Sequence, residues 1–154
     1  MAVWDWKVIE KQANAALGKK PDDVNASRRQ AHAIGMQGNT AQAVDMLQKH
    51  LYHNPKDAKA MDLLAAFLVI AGKPQDAIGW SDKALQADPK FVAARYNRAV
   101  ACVKAGKTEE GIRDLGMAIE ANGEYREIAA EDADFAGITG NARFKAVLLP
   151  PKKE

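Results

Sequence analysis

The hydrophobic positions of the chain recur at helical spacing in successive segments, and short polar turns separate these segments. The most apolar segment, residues 61–71, is hydrophobic almost throughout. Gly72 and Pro74 then predict a tight turn, because glycine adopts left-handed backbone at little cost and proline lacks an N–H donor. The next segment again has helical spacing and ends at Pro89. Residues 58–90 therefore predict two helices folded back on each other.

This pattern repeats at an interval of 34 residues. Small residues recur midway along each first helix and early in each second helix, where they allow two helices to pack closely. Glycine recurs at the turn, and proline recurs after the second helix. The recurring positions are Ala31, Ala65 and Ala99; Ala43 and Ala77, followed by Gly111; Gly38, Gly72 and Gly106; and Pro21, Pro55 and Pro89. One helix pair cannot bury its apolar face alone, so neighbouring pairs must stack.

The middle unit resembles the tetratricopeptide repeat (TPR) family, whose helix–turn–helix unit has the same period. The residues that carry the resemblance are Leu64, Ala65, Leu68, Gly72, Ala77, Ala84 and Pro89. The outer units depart from the family pattern, with Gln30 and Arg98 in place of leucine and with His50 and Gly111 in place of alanine.

The resemblance covers roughly two-thirds of the chain and implies an all-α fold, an α-solenoid of three TPR helix hairpins with capping helices at both ends. We expect a single domain. Its parts are an N-terminal capping helix in 1–23, TPR units 24–57, 58–91 and 92–125, a C-terminal cap 126–149 and a frayed tail 150–154. The expected helices are 3–19, 24–37, 40–53, 57–71, 74–87, 91–105 and 108–121, with a short helix in 125–130.

The two ends of the chain carry aromatic residues that a solenoid cap would use. Trp4 and Trp6 are expected to cover the first repeat, although two tryptophans so close together are also typical of a partner-binding patch. The segment EDADFAGITGNARFKAVL resembles a closing segment of bacterial TPR proteins, which implies that Phe135 and Phe144 pack on the last repeat.

Composition narrows the function classes. The net charge of +2, with both signs interspersed, does not form the basic footprint of a nucleic-acid binder. No apolar run reaches the ~18 residues that span a bilayer, so we expect no membrane insertion. Cys102 is the only cysteine and lies in an apolar run, which predicts a buried structural thiol. We expect a cytoplasmic protein, or a periplasmic one if a signal peptide has been removed.

No motif in the sequence predicts catalysis or a cofactor. The run ACVKAGKT at 101–108 ends like a phosphate-binding loop but lacks its first glycine and its preceding strand. His50 and His53 are spaced like metal ligands on one helix face, but no third ligand is near them in the sequence. No serine, cysteine or carboxylate has a catalytic companion nearby. We therefore expect no enzyme activity, no cofactor and no metal.

The TPR resemblance implies that fixed positions of each first helix face a concave groove. The predicted partner-binding residues are Arg28, His32, Met36, Lys59, Asp62, Ala66, Val69, Ile70, Tyr96, Asn97, Val100, Val103 and Lys104. The upstream part of this set is polar and basic, and the downstream part is apolar. Such a lining favours an amphipathic helix or an extended apolar peptide of another protein. Alternatively, the C-terminal cap or a second copy of the chain covers this face, for example in a homodimer through the groove or a capping helix.

One TPR subclass grips the carboxylate end of chaperone peptides. At the matching places this chain has Arg28, His32, Leu63, Ala93 and Asn97, of which only Arg28 keeps the required character. The sequence therefore predicts no carboxylate clamp. It predicts a protein–protein interaction adaptor; the alternative is a dedicated chaperone that shields an apolar segment of a secreted or membrane-associated client.

Overall fold

The computed structural model describes residues 3–153, and every regular element in that range is a helix. The elements are α1 (Trp6–Lys19), α2 (Val24–Met36), α3 (Thr40–His53), α4 (Ala58–Ile70), α5 (Pro74–Ala87), α6 (Val92–Lys104), α7 (Thr108–Ala121), α8 (Tyr125–Glu131), a 3-10 helix (Ala133–Ile138) and α9 (Ala142–Leu148). The prediction of an all-α solenoid of paired helices is confirmed. Residues 1, 2 and 154 of the predicted caps and tail lie outside the described range.

Aspartates begin α1, α2 and α4. The carboxylate of Asp5 accepts from the N–H groups of Lys7 and Val8, and Asp57 accepts from the N–H of Ala60 at 3.2 Å. Each carboxylate satisfies backbone donors that have no partner inside the helix. Helix α1 therefore begins at Trp6, and the prediction that it starts at residue 3 is wrong by three residues.

The turns inside the three helix pairs share one backbone geometry. Gly38, Gly72 and Gly106 all have positive φ, between 76° and 96°. The residue after each glycine donates its N–H to a carbonyl five residues earlier, as Asn39 does to Ile34 at 3.2 Å. This arrangement satisfies the last carbonyls of the first helix and aims the chain into the second.

The small residues at the repeat positions lie where paired helices touch. Ala31, Ala43, Ala65, Ala77 and Ala99 are each at most 1% exposed. Gly111 is the equivalent of Ala43 and Ala77 in the third unit. A Cβ there would lie 2.8 Å from the backbone oxygen of Ala99 and equally close to Val103 Cγ2. Helices α6 and α7 therefore approach too closely even for alanine, which explains this departure from the TPR pattern.

The other departures from the pattern are polar residues that find polar partners. Arg98, in place of a buried leucine, donates to Asp82 of α5 at 2.6 Å and also pairs with the buried Asp114 of α7. Gln30 donates to Asn14 Oδ1 at 2.7 Å. The buried carboxylate of Asp114 and the part-buried guanidinium of Arg98 thus satisfy each other, and Gln30 forms its bond at the surface, so the outer units still pack.

His50 takes part in a four-residue network that ties α2 and α3 to Asp57, the residue that caps α4. Its Nδ1 lies 2.9 Å from Ser27 Oγ, and its Nε2 lies 2.8 Å from Asp57 Oδ2. Arg28 donates to the same Asp57 oxygen at 2.8 Å. Although burial alone raises the pKa of Asp57, the hydrogen bonds from His50, Arg28 and Ala60 outweigh it and lower that pKa. The ionised carboxylate therefore stabilises the folded chain.

We expect Gly111→Ala to lower the free energy of unfolding by about 1–3 kcal/mol, because the new methyl group meets fixed backbone. Urea denaturation measures the change. Gly79→Ala is the matched control, because a Cβ at Gly79 in α5 has no neighbour within 4 Å. A Gly111→Ala variant as stable as the wild type would contradict the close packing of α6 on α7.

We expect Asp57→Asn to destabilise the fold by roughly 1–3 kcal/mol at pH 7. Because the pKa of Asp57 is lowered in the fold, its contribution is fully present above its unfolded pKa of about 3.9 and is lost as pH falls through the folded pKa. Urea titrations between pH 7 and pH 2.5 should therefore show the two proteins converging at the acid end. A difference that stays constant with pH would contradict the network.

Candidate functional site

The first helices of the three pairs form the inner side of the solenoid. Helix α4 contacts both α2 and α6, whereas direct contact between α3 and α5, or between α5 and α7, is sparse. The first helices are therefore closer together than the second helices, and the stack curves with α2, α4 and α6 on its concave side.

A cavity of about 310 Å³ lies in the downstream half of this concave side. Helices α4 and α6 form its floor, and the 3-10 helix of the C-terminal cap forms one wall. Seven predicted partner-binding residues come together here with two carboxylates of the cap. The lining residues are Ala66, Val69, Ile70, Tyr96, Asn97, Val100, Lys104, Asp132 and Asp134. The floor is mainly apolar and the edge is polar, a combination that suits a side chain of a bound polypeptide.

The C-terminal cap packs on α6 through aromatic rings. Tyr96 stacks on Tyr125 with ring centres 4.9 Å apart and meets the edge of Phe135 at 5.8 Å. Its hydroxyl donates to Asp132 Oδ2 at 2.5 Å. Burial and the neighbouring Asp132 both raise the pKa of Tyr96, so it stays a neutral donor. The cap thus covers part of the concave face but leaves the cavity beside it.

Asp62 of α4 brings a third carboxylate close to this region, although it does not itself line the cavity. Its Oδ1 accepts from Asn97 Nδ2 at 2.9 Å, and no cationic side chain within residues 3–153 pairs with it. Burial raises its pKa, and the hydrogen bond from Asn97 only partly offsets that effect. Carboxylates with perturbed pKa values are frequent at functional sites, and Asp62 reaches this cavity through its hydrogen bond with the lining residue Asn97. Lys104 and Asp134, at the outer edge, form a salt bridge of 3.1 Å.

The upstream half of the concave side is built differently. His32 lies between two aromatic rings, with centres 4.8 Å from Trp6 and 6.2 Å from Phe67, and burial lowers its pKa. Trp4 stacks on Trp6 but remains 67% exposed. Trp6 therefore covers the first repeat, whereas Trp4 leaves an exposed aromatic face.

The remaining predicted residues lie outside the cavity. Arg28 is held by Asp57, Met36 and Lys59 are exposed, and His32 belongs to the aromatic stack. Val103 packs against Gly111 of α7 in the core between the paired helices, so we leave it out of the proposed binding residues. Asp132 and Asp134 were not foreseen as lining residues. Their run EDAD is visible in the sequence, but only the path of the cap brings it to α6.

The structure also brings together a serine, a histidine and an aspartate that the sequence keeps far apart, namely Ser27, His50 and Asp57. Hydrolytic triads use these residue types. Here the carboxylate of Asp57 forms a salt bridge with Arg28 and caps α4, and His50 is only 6% exposed although it borders a surface cleft. We interpret the group as a structural clamp that ties α2 and α3 to the start of α4.

Cys102 is fully buried, as predicted, and burial raises the pKa of its thiol to about 11. Within residues 3–153, no three His, Cys, Asp or Glu side chains are placed to hold a metal ion. None of the helices in that range has the length and apolar character needed to cross a membrane.

Several solved structures share this helical stack. TTC0263, a thermophilic TPR protein of Thermus thermophilus, superposes with a TM-score of 0.80 at 15% identity, covering 92% of this chain and 79% of that one. MamA gives 0.72 at 16% identity, covering 94% and 83%. The first TPR domain of Spaghetti (RPAP3), solved with the HSP90 peptide SRMEEVD, gives 0.64 at 14% identity, covering 80% and 89%. These likenesses show the shared fold.

No curated protein matches the sequence significantly. The family model described as "Anaphase-promoting complex, cyclosome, subunit 3", which is of the TPR type, matches residues 13–118. The matched region contains α2 to α6, nearly all of α7 and the C-terminal half of α1. The chain therefore belongs to this TPR-type family.

Proposed function

We propose that the protein is an interaction adaptor that binds a segment of another protein in the concave cavity between α4, α6 and the C-terminal cap. The observation that carries the proposal is the open cavity itself, with apolar side chains on its floor and carboxylates on its edge. The HSP90 peptide in the RPAP3 structure supports it as an example of a TPR domain with a bound peptide.

The lining favours a segment with an aliphatic side chain next to a polar or cationic group. Ile70, which is 65% exposed, and Val69 offer apolar contact on α4, and Asn97 offers an amide on α6. Asp132 and Asp134 give the lining of the cavity a surplus of negative charge over the single Lys104. The absence of matching clamp residues at Leu63 and Ala93 argues against binding a free terminal carboxylate in the manner of chaperone clamps.

The carboxylate of Asp62 supports a binding role because its ionised form lowers the stability of the fold. With its pKa raised, the native chain takes up a proton more readily than the unfolded chain, so stability falls as pH rises through the folded pKa. Stability sacrificed at one residue is typical of functional positions. A bound cationic or amide group would recover part of that loss.

A dedicated chaperone for an apolar client segment is the second candidate, favoured by the exposed Ile70 and Trp4 on the inner side. Salt separates the two candidates. Contacts of an adaptor with the carboxylates weaken as ionic strength rises, whereas purely apolar binding survives 0.5–1 M NaCl, where the Debye length is only about 3–4 Å.

We expect Asp62→Asn to raise the free energy of unfolding at pH 7, because the amide avoids the burial of charge and keeps the hydrogen bond with Asn97. The gain should shrink as pH falls through the raised folded-state pKa of Asp62, because the wild-type carboxyl then becomes protonated in the native chain. Thermal and urea unfolding of both proteins at pH 7 and pH 4 test this. A less stable variant at pH 7 would show that the ionised carboxylate stabilises the fold.

The binding proposal is tested by selecting peptides on the protein from a displayed library of random 12-residue sequences. Affinities of selected peptides are then measured by calorimetry. We expect Ile70→Glu to weaken the groove-binding peptides at least about tenfold, or about 1.4 kcal/mol, because it places a charge at the apolar floor. Ile128→Glu is the matched control, since Ile128 is an exposed isoleucine of α8 that does not line the cavity.

Circular dichroism should show that both variants remain folded. Selected peptides whose affinity is indifferent to Ile70→Glu, or a selection that yields no peptide at all, would contradict the proposal.

A further inference from the structure

The outer side of the solenoid carries a cleft larger than the concave cavity. It lies between α3 and α5 and measures about 730 Å³. Leu51 and Met61, both buried, form its base. Its rim carries two aromatic residues and two lysines, namely Tyr52, Trp80, Lys56 and Lys83. The other lining residues are uncharged.

The repeat itself produces clefts of this shape. Because the second helices are spread apart on the outer side, related clefts of about 700 Å³ and 550 Å³ lie one unit before and one unit after. For example, the position of Lys83 is occupied by Lys49 one unit before and by Met117 one unit after. Each of these residues lines the cleft of its own unit. The repeat therefore explains why each unit has such a cleft. It does not explain why the side chains of the middle cleft differ from those of its neighbours.

Aromatic residues set the middle cleft apart. Trp80 corresponds to Met46 in the preceding unit and to Asp114 in the following one. Tyr52 is 83% exposed, and Trp80 is only half-buried. One side of Trp80 packs against the core, whereas most of Tyr52 faces solvent. Rings on a solvent-facing cleft are typical anchors of protein interfaces.

Charge sets it apart as well. The preceding cleft combines Lys49 with Asp22 and Asp23, and the following one combines Lys90 and Arg95 with Glu120. Only the middle cleft of the three is lined by basic residues, Lys56 and Lys83, without any carboxylate. Within residues 3–153, neither Lys56 nor Lys83 has a salt-bridge partner, whereas Lys49 pairs with Asp45 at 2.9 Å. The ammonium of Lys83 lies 4.2 Å from the centre of the Trp80 ring. Positive charge is thus concentrated beside an aromatic surface.

We propose that this convex cleft is a second docking site, which binds an acidic segment of a partner protein that carries a large apolar side chain. The apolar side chain meets Trp80 and the base formed by Leu51 and Met61. Carboxylates of the segment meet the ammonium groups of Lys56 and Lys83. The site lies on the opposite side of the helix stack from the concave cavity, so it can be occupied independently of it.

A peptide segment fits better than a nucleic acid. A nucleic-acid strand follows a track of positive charge over many phosphates. Here carboxylates interrupt the positive charge on both sides, with Asp22 and Asp23 in the preceding cleft and Glu120 beside Lys90 and Arg95 in the following one. Short acidic segments need only such a local pair.

The test uses the same random 12-residue display library and four variants of the full chain. Lys56→Ser with Lys83→Ser removes the cleft charges. Lys49→Ser with Lys90→Ser makes the same change at the equivalent positions of the neighbouring units. Trp80→Ala removes the ring, and Ile70→Glu alters the concave cavity. Circular dichroism establishes that each variant is folded.

We expect one class of selected peptides to have negative net charge and at least one aromatic or large aliphatic residue. These peptides should bind at least about tenfold more weakly to the Lys56/Lys83 variant and to Trp80→Ala. Their affinity should be unchanged by the Lys49/Lys90 and Ile70→Glu variants and should fall with added NaCl. Peptides lost only with Ile70→Glu report the concave cavity, so the two proposals succeed or fail separately.

Three results would overturn the assignment. The first is that no selected peptide depends on the cleft residues, or that those which do are positively charged. The second is that a 12-nucleotide poly(dT) or poly(U) strand binds the cleft more tightly than any selected peptide. The third is self-association, measured by sedimentation, that the Lys56/Lys83 variant abolishes; it would make a second copy of the chain the occupant.

Discussion

The close contact between the two helices of each pair determines the shape of the whole stack. It requires a small residue on both helices at the crossing, as at Ala65 and Ala77, and at α6 and α7 it requires glycine. With the pairs held this tightly, first helices contact first helices while second helices spread apart. The curvature follows from that difference, and both the concave cavity and the convex clefts follow from the curvature.

The repeat period and the small residues made the fold predictable from sequence, because each such position has one physical use. The helix ends were predicted to within a few residues for the same reason. What the sequence could not show is how Gln30, His50 and Arg98 are accommodated. Each breaks the apolar pattern, and each has a partner on another helix that lies at least 16 residues away, namely Asn14, Ser27 and Asp82. Which polar residues become partners in this way can be seen only in the folded structure.

Only the part of the candidate site that is formed by equivalent positions of the repeats was predictable from the sequence. Seven of the proposed residues on α4 and α6 line one cavity because equivalent positions on stacked first helices face the same side. Asp132 and Asp134 come from the cap, which does not follow the period, and Val103 turns toward α7 because Gly111 leaves room for it. The convex cleft was missed because it arises between second helices, whose outer positions appear in the sequence as an ordinary solvated face.

The proposed adaptor role requires that the curved stack hold a partner segment on its inner side. A ¹⁵N–¹H correlation spectrum of the labelled chain, titrated with a selected peptide whose affinity depends on Ile70, locates the bound segment residue by residue. We expect saturable shifts at the amides of Ala66, Ile70, Asn97 and Asp134, with α3 and α5 unaffected. Shifts confined to α3 and α5, or spread evenly over the chain, would contradict binding on the concave side.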